Sequence, residues 1–369
     1  MKKLKVIDFI KNNPDYEWIT LLEKEPYCIQ IKEEDGFYLL KYNQIESDFN
    51  NEIVRECRGL ILDKHFKQVC VPFFKFGNYA ESYVPEIDWK SARVQEKIDG
   101  SLIKVWKYNE VWRVSTNGTI NAFNCDIGQV DSLMLNCPYK TFGELFNKAR
   151  KNAGLDLNKL NPNYTYMFEL VSPYNKVVVP YEDVEIYHIG TRDNTTLEEL
   201  DIDIGIKKPK QFPLTNLEEC IEAASQLTYD HEGYVVVDKY WNRVKIKSPA
   251  YVAVHHIKNN GDVNIASIIE LIRKNEVAEF LTYFPEYKNV INLITRKIEK
   301  IILSITKGLN EIEQQEFTTQ KDFALAVKDR EYSNFYFNWY KGKFLKPEEW
   351  LWKLTNNKIK EMIQWVNLD

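Results

Sequence analysis

The stretch EKIDGSL at residues 96–102 decides our interpretation of the fold. Its lysine, Lys97, lies two residues before an Asp-Gly pair, and a β-rich run follows over 102–106. Gly100 has no side chain, so a ligand could approach the backbone closely there. A lysine amine becomes a nucleophile when desolvation or a neighbouring cation favours its unprotonated form. By itself the pattern is more typical of an exposed hairpin turn, so other segments must distinguish a reactive lysine from a turn.

Strand-like runs surround this stretch from the N-terminus to about residue 250. Several alternate apolar and polar residues, which predicts strands with one buried face. The connections between them are short, which favours antiparallel pairing over a doubly wound parallel sheet. After about residue 250 the periodicity becomes helical: 287–313 carries an apolar stripe, and the proline at 347 predicts a helix over 348–366. We therefore predict an α+β protein, with an antiparallel-sheet domain over 1–250, including an N-terminal subregion to about 90, and an all-helical domain over 251–369.

Composition, cysteine spacing and net charge limit the classes of protein to which this sequence can belong. The 369 residues are 44% hydrophobic and 28% charged, values that are typical of soluble globular proteins. No apolar run reaches the roughly 18 residues of a membrane span, and the N-terminus lacks the apolar core of a signal peptide. The six cysteines have no zinc-ligand spacing, so we expect reduced thiols in a cytoplasmic protein. A net charge of −5 means that any nucleic acid would have to bind in local basic grooves.

Three further segments carry charged residues where a nucleotide site would need them. Glu169 lies among apolar residues of a β-run, and Glu232 precedes a glycine at the start of an apolar strand. Lys245 and Lys247 are two residues apart, so they lie on one face of a strand. The alternatives are a solvated strand face for Glu169 and a surface strand edge for the lysines. Together these residues offer a nucleophile, cations for phosphates, and carboxylates for a ribose or for Mg²⁺ or Mn²⁺. The sequence contains no GxxxxGK[ST] phosphate loop.

The order of these segments resembles the covalent nucleotidyltransferase superfamily of ligases and capping enzymes. Within it, the chain is similar to the RNA ligase 1 branch typified by the T-even phage enzyme. DNA ligases and capping enzymes usually have arginine at the position of Leu102, whereas Ser101 before it is typical of RNA ligases. The resemblance covers roughly 55–250 and implies an ATP-grasp-like ligase domain. Its matching segments are 97–101, 168–173, 232–235 and 245–248, with upstream elements at 56–60 and 74–78.

The resemblance implies a three-step reaction that joins RNA ends. Lys97 would attack the α-phosphate of ATP, AMP would move to a 5′-phosphate, and a 3′-hydroxyl would displace it. Glu232 is expected to bind or orient Mg²⁺. Lys245 is expected to contact the α-phosphate, and Lys247 to stabilise the leaving pyrophosphate. These four residues form the predicted catalytic set.

The resemblance also implies an ATP-binding set and a metal site. Arg58 and Lys75 would contact the triphosphate or the 5′-phosphate, and Glu169 would hold the ribose. Asn117 replaces a basic residue of the branch, and a neutral amide cannot supply its charge, so we assign it only a contact to nucleotide or RNA. The full predicted ATP-binding set is Arg58, Lys75, Glu96, Lys97, Ile98, Asp99, Asn117, Glu169, Lys245 and Lys247, and the predicted metal ligands are Glu232 and Asp99.

Outside the matching segments the C-terminal region has interleaved aromatic and lysine residues over 335–352. They favour a helical core with a solvated rim, and stacking on RNA bases is the alternative. We expect a monomer whose partners are ATP and RNA, including nicked tRNA in a repair role. The competing hypotheses are a DNA ligase, a capping-type nucleotidyltransferase, and an RNA-binding module with an inactive pocket.

Overall fold

The computed structural model describes residues 3–15, 17–127, 137–256, 265–364 and 366. The chain divides into two compact units, Met1–His255 and His256–Asp369. No helix among the described residues is both long and apolar enough to cross a lipid bilayer.

The first unit is built on three sheets. Its strands are β1 (Ile29–Glu34), β2 (Phe37–Tyr42), β3 (Arg58–Asp63), β4 (Gln68–Cys70), β5 (Arg93–Glu96), β6 (Ser101–Tyr108), β7 (Val111–Thr116), β8 (Tyr164–Val171), β9 (Glu185–Asp193), β10 (Glu199–Leu200), β11 (Gln211–Phe212), β12 (Gly233–Val237) and β13 (Arg243–Lys247). The first sheet has the order β1-β2-β3-β4, the second β10-β9-β8-β6-β7, and the third β11-β5-β12-β13. Neighbouring strands in each sheet are antiparallel, which confirms the predicted antiparallel α+β class.

Helices cover the apolar faces of these sheets. They are α1 (Lys5–Asn12), α2 (Glu17–Leu22), α3 (Glu52–Glu56), α4 (Phe142–Asn152), α5 (Leu217–Ser225) and α6 (Pro249–His256). In the second sheet, Ile103 and Val105 of β6 are buried in a core that includes Phe146 of α4. In the third sheet, Val236 of β12 is buried in a core with Cys220 of α5. The period-2 pattern turns the alternate residues of these strands to the opposite face of each sheet.

The first and second sheets also pack against each other. Trp106 of β6 meets Phe37 of β2 edge to face, with ring centroids 5.2 Å apart. Ile61 of β3 and Cys70 of β4 complete this buried cluster. Any polar residue of β6 on the same face as Trp106 is therefore held between two sheets.

The described part of the second unit is helical, as predicted. Its helices are α7 (Ile265–Arg273), α8 (Val277–Tyr283), α9 (Lys288–Glu313), α10 (Gln320–Val327), α11 (Ser333–Tyr340), α12 (Pro347–Leu351) and α13 (Asn356–Gln364). The predicted helix over 348–366 is thus two helices, and the second begins where Thr355 accepts a hydrogen bond from the Lys358 amide at 3.3 Å. Phe335, Tyr336 and Trp350 are buried, which supports the core interpretation for these aromatics over base stacking.

Candidate active site

A cavity of about 300 Å³ opens between residues of the second and third sheets. The second sheet contributes Leu102 from β6 and Glu169 from β8, which are paired in register. The third sheet contributes Gln95 from β5 and Val235 from β12, also paired. Alternation along each strand turns these residues to the face opposite the apolar cores. The predicted site residues that line the cavity are Arg58, Glu96, Lys97, Ile98, Asn117 and Glu169.

Lys97 lies at this cavity, and its ammonium contacts the carboxylate of Glu232. Its Nζ atom is 2.6 Å from Oε2 of Glu232, and the other carboxylate oxygen of Glu232 is 3.6 Å from Nζ of Lys247. Glu232 is buried, and the Lys97 amide donates to the carbonyl of Gly233 at 2.9 Å. The structure therefore brings three of the four predicted catalytic residues into one ionic chain, lysine–glutamate–lysine.

Glu169 forms the opposite wall. Its carboxylate accepts no hydrogen bond from any residue that the structure describes. Burial raises the pKa of Glu169 to about 7, and the nearby Lys97 opposes that rise while Glu232 adds to it. A carboxyl group that titrates near neutral pH and lacks a donor can accept a hydrogen bond from a ligand hydroxyl.

Arg58 and Asn117 form a polar corner of the cavity. The Arg58 guanidinium lies over the ring of Phe76, with its central carbon 5.0 Å from the ring centroid. Nη1 of Arg58 and Oδ1 of Asn117 are buried, and neither has a hydrogen-bond partner among the described residues. Buried polar atoms are nearly always paired in native proteins, so a polar ligand at this corner would satisfy them.

Glu232 and Lys247 are connected to the cavity through Lys97 and do not line it, and two further predicted lysines also lie outside the lining. Nζ of Lys75 lies 4.5 Å from the centroid of the Phe49 ring and 5.3 Å from that of Tyr42. Lys245 pairs with Val235 in the β12–β13 ladder, and its amide donates to the Gly77 carbonyl at 3.0 Å. Neither residue belongs to the cavity lining, so their predicted phosphate contacts stay predictions.

Asp99 has protein partners for both of its carboxylate oxygens. One carboxylate oxygen accepts hydrogen bonds from the amides of Val178 and Val179 at 2.9 and 2.8 Å, and the other accepts from the Tyr251 hydroxyl at 2.8 Å. The side chain is buried and does not line the cavity. These hydrogen bonds tie the turn that carries Lys97 to the loop after β8 and to helix α6, and the predicted roles of Asp99 as a metal ligand and an ATP contact stay predictions.

Sequence reasoning missed Arg243, which also lines the cavity. Its guanidinium pairs with the buried carboxylate of Glu199 at 2.8 Å and lies 4.2 Å from the centroid of the Phe73 ring. Arg192 pairs with the same carboxylate at 2.7 Å. The signal was present, because Arg243 is two residues before Lys245 and so shares its strand face. The acid that holds it could not be recognised, since Glu199 is distant in sequence.

These features define a class of protein in which a lysine at a nucleotide-sized cavity is surrounded by further cations and two carboxylates. The RNA ligase family model matches residues 56–251, just over half of the chain. The chain therefore belongs to the RNA ligase family, which confirms the resemblance found in the sequence.

Individual relatives agree with this assignment. An RNA ligase of Rhodothermus phage RM378 is 26% identical over 406 aligned positions, which cover 90% of this chain and 91% of the phage protein. A candidate bifunctional polynucleotide kinase/RNA ligase of Autographa californica nuclear polyhedrosis virus is 32% identical over 290 residues. That match covers 74% of this chain but only 41% of the viral protein. The chain thus spans less than half the length of this viral relative.

Among solved structures, an archaeal ATP-dependent RNA ligase aligns with 92% of this chain and 99% of its own. The TM-score is 0.43 and the sequence identity 14%, a similarity too low to support a conclusion about function.

Proposed function

We propose that this chain is an ATP-dependent RNA ligase that joins a 5′-phosphate to a 3′-hydroxyl. In the first step the Lys97 amine attacks the α-phosphate of ATP, so that a P–N bond forms and the bond to the leaving pyrophosphate breaks. In the second step an oxygen of the RNA 5′-phosphate attacks the phosphorus of the lysyl-AMP, so that a P–O–P bond forms, the P–N bond breaks and the Lys97 nitrogen takes up a proton. In the third, the 3′-hydroxyl attacks the activated 5′ end, which forms the phosphodiester bond and releases AMP.

The observation that carries the proposal is the contact between Lys97 and Glu232 at the cavity. Lys97 must lose a proton before it can attack, and the Glu232 carboxylate, which lies 2.6 Å away, would receive it. Lys247, on the far side of Glu232, and Arg243 add positive charge where the phosphates would lie. This charge would stabilise the transition state of phosphoryl transfer electrostatically.

The carboxylates fit a hard divalent cation. Among the described residues no three His, Cys, Asp or Glu side chains gather as a self-contained metal site. Mg²⁺ is commonly held by one or two carboxylates together with substrate phosphates, and Glu232 would orient it here. When bound, Mg²⁺ or Mn²⁺ would supply charge neutralisation at the phosphates. Glu169 would then hold the ribose, as its unpaired carboxylate suits a hydroxyl donor.

The proposal also covers the substrates, the oligomeric state and the cellular compartment. ATP and RNA ends, including nicked tRNA, are the partners, and the protein acts as a monomer. The six cysteines are free thiols, which fits a reducing compartment such as the cytoplasm. The helical unit would contribute to the choice of RNA.

Transfer of a radioactive label tests the proposal. Purified protein is incubated with α-labelled ATP or GTP, and then with 5′-phosphorylated RNA or DNA. We expect ATP alone to label the wild type, Lys97→Ala to remain unlabelled, and RNA to be joined in preference to DNA. Lys107→Ala is a matched control, because Lys107 lies on the same region of chain but pairs with Glu110 outside the cavity. Labelling by GTP would indicate a capping-type enzyme, efficient joining of DNA alone a DNA ligase, and no labelling an inactive pocket.

A further inference from the structure

Lys104 is a lysine buried between two sheets. It lies on β6 two residues after Leu102, on the same strand face, and its side chain is 0% exposed. Its ammonium donates a hydrogen bond to the carbonyl of Gly59 at the start of β3. Lysine is almost never fully buried without a reason, since desolvating its charge is costly.

Three distant segments converge on this ammonium. Gly59 has a φ of +79°, and a Cβ placed there would lie 2.6 Å from the carbonyl oxygen of Asn117 and 3.0 Å from Nζ of Lys104. The position therefore requires glycine both for its backbone conformation and for the space it leaves. Arg58, the residue immediately before Gly59, lines the cavity together with Asn117. Lys104 thus holds the Gly59–Leu60 peptide, which begins one residue after Arg58.

The convergence leaves an excess of positive charge. Arg58 and Lys41 lie near Lys104, and the carboxylate of Glu169 in the cavity wall interacts electrostatically with Arg58. Burial lowers the pKa of Lys104 to about 8; the Cys70 thiol opposes this, whereas Arg58 and Lys41 favour it. The buried Nη1 of Arg58 also lacks a partner among these residues. A buried cation such as Lys104 is stabilised when an anion binds beside it.

We propose that Lys104 is a positioning residue that aims the Arg58 guanidinium at a phosphate group in the cavity. Its hydrogen bond holds the Gly59 carbonyl, so that Arg58 cannot turn away, and its charge adds to the attraction for the phosphate. The inference rests on the proposed ligase function. The phosphate belongs either to ATP or to the 5′ end of the RNA, and both present the same chemistry to this corner.

Two kinetic measurements show whether the phosphate belongs to ATP or to the 5′ end of the RNA. The first measures lysyl-AMP formation over a range of ATP concentrations. The second measures transfer of AMP from purified, labelled protein to 5′-phosphorylated RNA. Lys104→Met removes the charge and the donor at nearly constant length. Lys107→Met is the matched control, since Lys107 is on the same strand and its ammonium pairs with Glu110.

We expect Lys104→Met to raise the KM for ATP, or to slow the transfer to RNA, by about 10- to 100-fold, as for loss of a charge-assisted hydrogen bond. Lys107→Met should match the wild type in both measurements. In an Arg58→Ala background, Lys104→Met should add little, because it acts through Arg58. The wild type should also lose efficiency above about pH 8, where the Lys104 ammonium loses its charge, and Lys104→Met should lack that decline.

Other outcomes would overturn the inference. One is a folded Lys104→Met protein with wild-type KM and transfer rate. Another is a loss of activity in Lys104→Met that is equal in all steps, independent of pH and additive with the loss in Arg58→Ala. Such a loss would show that Lys104 is purely structural. A wild type that takes no label from ATP would instead refute the proposed function, so the two failures are distinguishable.

Discussion

Nζ of Lys97 lies 2.6 Å from Oε2 of Glu232, although the two residues are 135 positions apart in the chain. The contact depends on the third sheet, where Tyr234 of β12 pairs with Glu96 of β5. Strand pairing thus places the end of β5 beside the start of β12, and Lys97 and Glu232 extend just beyond these ends. The proposed nucleophile and its proton acceptor are therefore positioned by backbone hydrogen bonds more than by side-chain packing.

Glu232→Gln should slow lysyl-AMP formation by about 100-fold or more, comparable to the loss of one electrostatic group in an active site. The amide keeps the shape of the side chain but cannot accept the Lys97 proton or balance Lys97 and Lys247. Single-turnover labelling with α-labelled ATP measures the rate, and a thermal melt checks folding. Glu222→Gln, at an exposed position on α5, is the control. Wild-type labelling by Glu232→Gln would exclude Glu232 from the chemistry.

Glu169→Gln should make the ligand-free protein more stable at pH 8 while weakening its use of ATP. The pKa of Glu169 is raised from 4.5 to about 7, so the folded state holds this proton more tightly than the unfolded state. Stability is therefore complete below about pH 4.5 and declines as pH rises towards 7, by at most about 3 kcal/mol.

Chemical denaturation at pH 5 and pH 8 measures this effect. The wild type should lose stability between the two values, and Glu169→Gln should lose less. The KM for ATP should rise in the variant because a neutral amide binds a ribose hydroxyl less strongly than a carboxylate. Equal pH dependence in the two proteins would show that Glu169 does not titrate in this range.

Glu199→Gln should destabilise the protein by about 3–5 kcal/mol, because two buried guanidiniums would lose their shared counter-charge. Burial raises the pKa of Glu199, but Arg243 and Arg192 outweigh it and hold the pKa below its usual value. The stabilisation is thus present above about pH 4.5 and is lost only as pH falls below it. Denaturant midpoints at pH 7 and pH 4 measure the difference. Glu198→Gln, next to it but exposed, is the control and should behave as the wild type.

Much of this site was predictable from period-2 alternation and local sequence. The spacing of Lys245 and Lys247 indicated Lys247, whose Nζ lies 3.6 Å from the Glu232 carboxylate, and the Glu-Gly pair indicated Glu232, whose carboxylate lies 2.6 Å from Lys97. Their roles in binding a nucleotide stay predictions. Local sequence could not show that Asp99 bonds to Val178 and Val179, since those partners lie in a loop after β8. A pattern identifies a candidate side chain, but long-range pairing decides its partner.

Lys104 is a clearer example of a residue whose environment local sequence could not predict. In sequence it lies two residues before Trp106, on the same face of β6, and nothing local distinguishes it from a solvated strand lysine. It is buried because the first sheet packs over that face of the second, where Trp106 contacts Phe37. Sheet-on-sheet packing is a tertiary property, so a residue that depends on it becomes recognisable only in the folded protein.

Gly233→Ala should be far more damaging than Gly36→Ala. Gly233 has a φ of +130°, and a Cβ there would lie 2.2 Å from the backbone carbonyl oxygen of Ile246, which cannot move without breaking the β12–β13 ladder. Gly36 also has a positive φ, +77°, but its Cβ position has nothing within 4 Å. We expect a loss on the order of 3 kcal/mol at Gly233 and about 1 kcal/mol at Gly36. Denaturant titrations compare them, and equal losses would mean that the ladder adjusts freely.

A protein comprising residues 1–256 should still accept AMP on Lys97 but join RNA ends more slowly than the full chain. The cavity-lining residues lie between Arg58 and Arg243, and the Tyr251–Asp99 hydrogen bond that fixes the turn at Lys97 also lies within the first unit. Nothing in the first step therefore requires the helical unit. RNA is larger than the cavity and needs a wider surface, and exposed Tyr340 precedes two lysines, Lys341 and Lys343, in the second unit.

Labelling and joining are measured on the same preparation, with Lys97→Ala in the shortened protein as the unlabelled control. Normal labelling with impaired joining would assign RNA recognition to the helical unit, since the chemistry of the first step would be unchanged. If the shortened protein joined RNA as fast as the full chain, the RNA surface would have to lie on the first unit. If it folded cooperatively yet took no label, the cavity would depend on residues beyond 256.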